Sequence, residues 1–217
     1  MVAPQALCTP RLRGVLHQWA LVSFLPLGLG LVIMATSERA RIAVAVYALS
    51  LVALFGTSTL YHRIRWRSLT VRRWMRRLDH SMIFVLIAGT YTPFALVALH
   101  GSLAVAILVA VWGGAAAGVG FNLVWTDSPA WLHAMLYVAL GWVAVAAIPQ
   151  LAAAIGVFAL TLVALGGVLY TLGAIVYSAK RPDPRPSVFG YHEVFHSLVI
   201  AGALLQYAVI AFWIAPS

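Results

Sequence analysis

The chain has 217 residues, 63% of them hydrophobic and only 9% charged, with a mean hydropathy of +0.97. Soluble domains are about a quarter charged, so a soluble globular protein is excluded and a multi-pass membrane protein is expected. The net charge of +9 does not point to nucleic acid, because the basic residues flank apolar runs, the pattern set by membrane topology and anionic head groups.

The N-terminal segment holds Cys8, the sole cysteine, which excludes a disulfide framework and a Cys-based metal site. It reads as an incidental thiol. Arg11 and Arg13 precede an apolar segment from about Trp19 to Ala35. A signal-peptide core spans only about 7–15 residues, so an uncleaved first span is expected.

About 20 apolar residues cross a bilayer as a helix. Seven spans are predicted, at roughly 18–36, 42–62, 80–99, 102–124, 130–148, 152–178 and 190–214. The fold class is an all-α seven-transmembrane helix bundle, one domain over residues 1–217. Ser37-Glu38-Arg39 ends the first span, and His100-Gly101-Ser102 separates the third from the fourth. Thr126-Asp127-Ser128-Pro129 separates the fourth from the fifth. Asp127 or Ser128 is the expected cap of a helix whose first residue is Pro129. Residues 130–179 form one apolar run, too long for one span; it is broken at Pro149-Gln150, where proline removes a backbone donor. The Lys180–Pro186 stretch, with three prolines, is a stiff loop.

With the N-terminus inside, the inner segments are 1–17, 63–79, 125–129 and 179–189. They hold 12 of the 14 Lys and Arg residues; Arg39 and Arg41 fall outside. Six spans would put Lys180, Arg181 and Arg185 outside as well. The positive-inside rule therefore favours seven spans, N-terminus cytoplasmic and C-terminus outside.

Ionisable residues within spans are costly and are functional candidates. His62 closes the second span, Asp79 and His80 open the third, and His192, Glu193 and His196 open the seventh. Parity places all of them at one depth near the cytoplasmic face. His192 and His196 are four apart, on one helical face, and His62 can supply a third nitrogen. Three protein ligands plus a water make an open zinc site. Asp79 is the candidate to hold that water and take its proton, so its metal contact is through water. Ser58, one turn before His62, is a candidate hydrogen bonder or oxyanion donor. His80 lies about 100° round the helix from Asp79, so both cannot face one ion equally. The plainer reading of Asp79 is an ion pair with Arg76 or Arg77. His17, His100 and His133 read as interfacial polar residues.

The order His192-Glu193-x-x-His196 also matches the H-E-x-x-H zinc signature, in which the Glu is a general base. A protease reading fits poorly. Its usual third ligand lies downstream, yet none of the 21 residues after His196 is His, Asp, Glu or Cys.

Three stretches carry a resemblance: STLYH (58–62), RRLDHSMIFVLIAGTYTPF (76–94) and FGYHEVFHSLVIAGALLQY (189–207). In this order they resemble the signature blocks of the hemolysin III family, the bacterial branch of the progesterone and adipoQ receptor family that includes the adiponectin receptors. The resemblance implies a seven-helix bundle in the bacterial inner membrane, with zinc near its cytoplasmic face. It implies His62, His192 and His196 as zinc ligands, Asp79 holding the zinc-bound water, and Ser58 beside it. The residue at Glu193 need not be Glu in the related receptors, so no role is carried over to it.

Three functions are weighed. The first is a zinc-dependent hydrolase of lipid amides or esters, ceramidase-like, acting on membrane lipids in lipid homeostasis. The second is a pore-forming cytolysin. Few polar residues are expected in the outer half of the spans, chiefly Asn122, Gln206, Thr90 and Thr92, so a wide pore would need a homo-oligomer. The third is a non-catalytic regulator of membrane lipids with structural zinc.

Overall fold

The structure is a computed structural model, and residues 10–125 and 127–217 are described. Cys8 lies outside the described residues, as does Thr126 of the predicted turn. Among the described residues the regular structure is helical, apart from an isolated bridge between Arg185 and Phe189.

Seven α-helices follow one another: α1 Val15–Met34, α2 Glu38–Arg63, α3 Leu69–Pro93, α4 Gly101–Val124, α5 Ala130–Gly141, α6 Ile148–Ala179 and α7 Tyr191–Val209. Short π-helical turns extend α3 over Phe94–Ala98 and α7 over Ile210–Ile214, and a 3₁₀ segment, Trp142–Ala147, joins α5 to α6. Helix α2 packs against both α1 and α3, α3 against α4, and α7 against α6. Large apolar side chains such as Ile33, Leu49, Val109 and Phe212 face outward. An apolar exterior over polar interior groups is what a lipid solvent selects.

Six helical stretches are long and apolar enough to cross a membrane, so the chain is a multi-pass membrane protein. One of them, Ala130–Ala179, has 50 residues. A straight helix of that length would run about 75 Å, against a hydrocarbon core of about 30 Å. The backbone leaves the α-helix over Trp142–Ala147 and again at Gly156, with φ 77° and ψ 165°. These departures bracket the break predicted at Pro149-Gln150. Pro149 itself sits in the first turn of α6, where its missing N–H has no helical acceptor to lose. The two ends of the 130–179 stretch meet: His133 and Tyr177 both lie against His80, at ring separations of 5.6 Å and 6.2 Å.

Two further expectations are corrected. Helix α3 begins at Leu69, not near residue 80, because the Ser68 hydroxyl accepts from the Val71 N–H and starts the helix within the Arg-rich segment. Helix α5 begins at Ala130, with Pro129 itself at the cap and no side-chain cap bond. Ser128 instead hydrogen-bonds His133 Nε2 at 2.7 Å. Asp127 pairs with Arg76, whose hydrogen bond holds its carboxyl below the usual carboxylate range.

Candidate metal centre

The cluster draws on the end of α2, the start of α7 and the middle of α3. Ser37 caps α2 by accepting from the Ala40 N–H, and the helix runs on to present Ser58 and His62 in its last two turns. Asp79 and His80 come from α3. His192 and His196 occupy the first two turns of α7. The chain before α1 turns at Gly14, φ 78°, where a Cβ would sit 2.6 Å from the His62 Cβ. Only glycine combines that backbone geometry with that approach.

One ring nitrogen from each of His62, His192 and His196 lies within 4.8 Å of the others, a group that could hold a metal ion. His192 Nε2 is 3.2 Å from His62 Nε2. Zinc–nitrogen bonds of about 2.0–2.1 Å place two tetrahedral nitrogen ligands roughly 3.3 Å apart, so the spacing fits one ion. His196 Nδ1 is buried without a hydrogen-bond partner. Asp79 Oδ2 lies 3.7 Å from His62 Nε2, beside the cluster rather than within it. Arg76, one of the two arginines expected as its alternative partner, reaches Asp127.

His80 turns away from the cluster. Its Nδ1 lies 2.8 Å from the Arg76 carbonyl and its Nε2 2.9 Å from the Tyr177 hydroxyl. The 100° offset from Asp79 along the helix anticipated this. His133 is buried and packs against His80, so it is not an interfacial residue; His100, by contrast, is exposed. Asn122 hydrogen-bonds Ser81, two residues after Asp79, and so belongs to the same end of the bundle and not to the far half.

His17 is the residue the sequence reading missed. It is 3% exposed, its Nδ1 lies 2.8 Å from Ser58 Oγ, and its ring stacks on His196 with centroids 3.6 Å apart. The predicted span began at residue 18, which left His17 outside it. The available signal was depth: the start of the first span and the end of the second share a membrane face, so His17 stands level with His62.

Glu193 also has a defined place, in the cap of α7 and outside the three-histidine group. It is 0% exposed. One carboxylate oxygen accepts from the Gly190 N–H at 2.8 Å, capping α7, and the other lies 2.7 Å from Arg13 Nε. The segment before α1 is pinned alongside by backbone bonds from Arg11 to Ser187 and from Leu12 to Val188.

Behind the cluster lies a cavity of about 500 Å³. Its polar end holds His17, Ser58, Asp79, His192 and His196, and the remaining wall is almost wholly apolar. On α3 its lining runs from Asp79 to Phe94, about 22 Å at 1.5 Å per residue. The volume falls in the usual range of small-molecule sites, about 300–1,000 Å³, and the shape suits a long alkyl chain with a polar head at the histidines.

The "Haemolysin-III related" family model matches residues 5–207. The chain is 32% identical to the "Hemolysin-3 homolog" of Bacillus subtilis, over 79% of this chain and 77% of that one. It is 30% identical to "Hemolysin-3" of Bacillus cereus, over 83% and 79%. It is 24% identical to the human "Monocyte to macrophage differentiation factor", over 78% and 69%. The chain belongs to the haemolysin-III related family.

Proposed function

We propose that this family member is a seven-span zinc hydrolase of lipid amides or esters, held in the bacterial inner membrane with its N-terminus in the cytoplasm. The observation that carries the proposal is a three-histidine cluster, flanked by a carboxylate, at the polar end of a long apolar cavity. Seven crossings are favoured because both ends of the 130–179 stretch lie against His80. That stretch therefore goes out and returns, as spans over 130–147 and 157–179. Odd parity also keeps most of the basic residues on one side.

In this reading His62, His192 and His196 hold the ion. Zinc supplies Lewis acidity, polarising a carbonyl and making water nucleophilic near neutral pH. Asp79, beside the cluster, accepts the proton of the attacking water. Ser58 lines the same polar end; its hydroxyl donates to Asp79 while that carboxylate is ionised and, once Asp79 has taken the proton, turns to the oxygen on which negative charge develops. The apolar wall binds the acyl or alkyl chain, fixes the carbonyl at the polar end and keeps bulk water out.

The test is incubation of the purified protein with ceramide-type and phospholipid substrates. Turnover that is lost in His196→Ala is expected. A zinc-loaded protein with no turnover, or turnover that survives His196→Ala, would refute the hydrolase reading.

The hemolysin names of the Bacillus relatives favour a second reading, cytolysis through an oligomeric pore. The apolar wall of the cavity argues against conduction through one copy. Single-channel recordings that stay silent over a range of protein concentrations are expected.

A further inference from the structure

We propose that His17 is a positioning residue of the metal centre, holding His196 by ring stacking and Ser58 by a hydrogen bond. The inference rests on the metal reading and concerns a residue outside the three-histidine set.

Three observations carry it. The His17 and His196 rings are nearly parallel, with an interplanar angle of 13° and centroids 3.6 Å apart. A ring stacked this way presents its face, so its own nitrogens do not converge with those of His196 on one ion. His17 therefore acts on a ligand and is not itself one. Second, His17 Nδ1 is 2.8 Å from Ser58 Oγ, and Ser58 and Asp79 line the same polar end of the cavity. An ionised carboxylate only accepts hydrogen bonds. When Ser58 donates to Asp79, its oxygen must accept from the His17 Nδ1–H. The order is then fixed from imidazole to hydroxyl to carboxylate, and His17 Nε2 is left as the bare nitrogen. Third, that Nε2 is buried with no hydrogen-bond partner, which fits this tautomer, since an unpaired acceptor is tolerated better than an orphaned N–H.

A further ring contact is edge-on, from Phe55 at 5.0 Å. His17 is thus clamped between α2 and α7, and it can transmit the position of α1 to both. Groups that orient metal ligands typically change metal affinity or activity by about 10–100-fold when removed.

The experiment measures zinc affinity by chelator competition, together with the rise in melting temperature that a fixed zinc concentration produces. It compares the full-length wild type with His17→Ala, His17→Phe and His17→Asn. Affinity is expected to fall roughly 10–100-fold in His17→Ala, with a smaller zinc-induced rise. His17→Phe, which keeps a stacking ring, is expected to recover most of the affinity. His17→Asn, which keeps a donor for Ser58 but no ring, is expected to behave like Ala. The melting temperature without metal reports folding separately for each variant. A zinc-induced rise in His17→Ala equal to that of the wild type would overturn the proposal, however far the metal-free melting temperature had dropped. Failure of His17→Phe to recover affinity, when it folds as well as His17→Ala, would overturn the stacking role. A wild type that binds no zinc would overturn the metal reading and this one with it.

Discussion

Arg13 Nε lies 2.7 Å from Glu193 Oε1, across the end of the bundle where the chain enters α1 and α7. The pair spends the Glu193 carboxylate on structure: its second oxygen already caps α7 through Gly190. The H-E-x-x-H pattern of residues 192–196 is therefore two ligand candidates separated by a helix-capping acid. The general base of a protease would have to leave both partners to serve.

Glu193→Gln keeps an oxygen for the Gly190 N–H but removes the charge facing Arg13. Its cost is expected to be about 1.5–3 kcal/mol of stability, the range for a hydrogen bond to a charged group. Zinc should be retained and lipid turnover, per folded molecule, should persist. Asp79→Asn should show the opposite pattern, with near-normal stability and turnover reduced by about 10²–10⁴-fold, the range for a general base. Thermal melts and initial rates of the two variants separate these roles.

Gly14→Ala places a methyl where 2.6 Å separates it from the His62 Cβ, at a φ of 78°. The left-handed backbone alone costs about 1–2 kcal/mol for a residue with a Cβ. His62 must also shift. Zinc affinity is expected to fall more than in a surface glycine variant such as Gly113→Ala, where nothing lies near the added atom. Equilibrium zinc titration of both proteins checks this.

Ile87→Trp puts bulk midway along the cavity wall on α3. If the cavity holds the lipid chain, turnover of long-chain substrates should fall by roughly tenfold or more, the scale of a misplaced reacting group. Short-chain analogues should be hydrolysed nearly as before, and zinc content should not change. Comparing rates over a chain-length series checks the assignment.

Hydropathy carried most of the helix layout, because lipid leaves an apolar helix as nearly the only spanning solution. Span limits near residues 36, 62, 124 and 178 fall close to the observed helix ends. The break in 130–179 was harder to place. Proline marks a missing donor, but in a first turn that donor is not needed, and the chain bends instead at the 3₁₀ segment and at Gly156. The i, i+4 pair His192 and His196 was legible from helical period alone, and His62 from parity. The partner of His196 was not, since a stack of two rings from α1 and α7 has no periodic signature. Glu193 misled in the other direction. Its cap partner Gly190 has no side chain, so only half of a capping box can form and the usual Ser or Thr signal is missing.

The central claim is that His62, His192 and His196 form one metal site. Metal analysis of the purified wild type beside His62→Ala tests it most directly. The wild type should carry about one equivalent of zinc, and His62→Ala should lose nearly all of it while keeping its helical content. Unchanged zinc in His62→Ala would contradict the shared site.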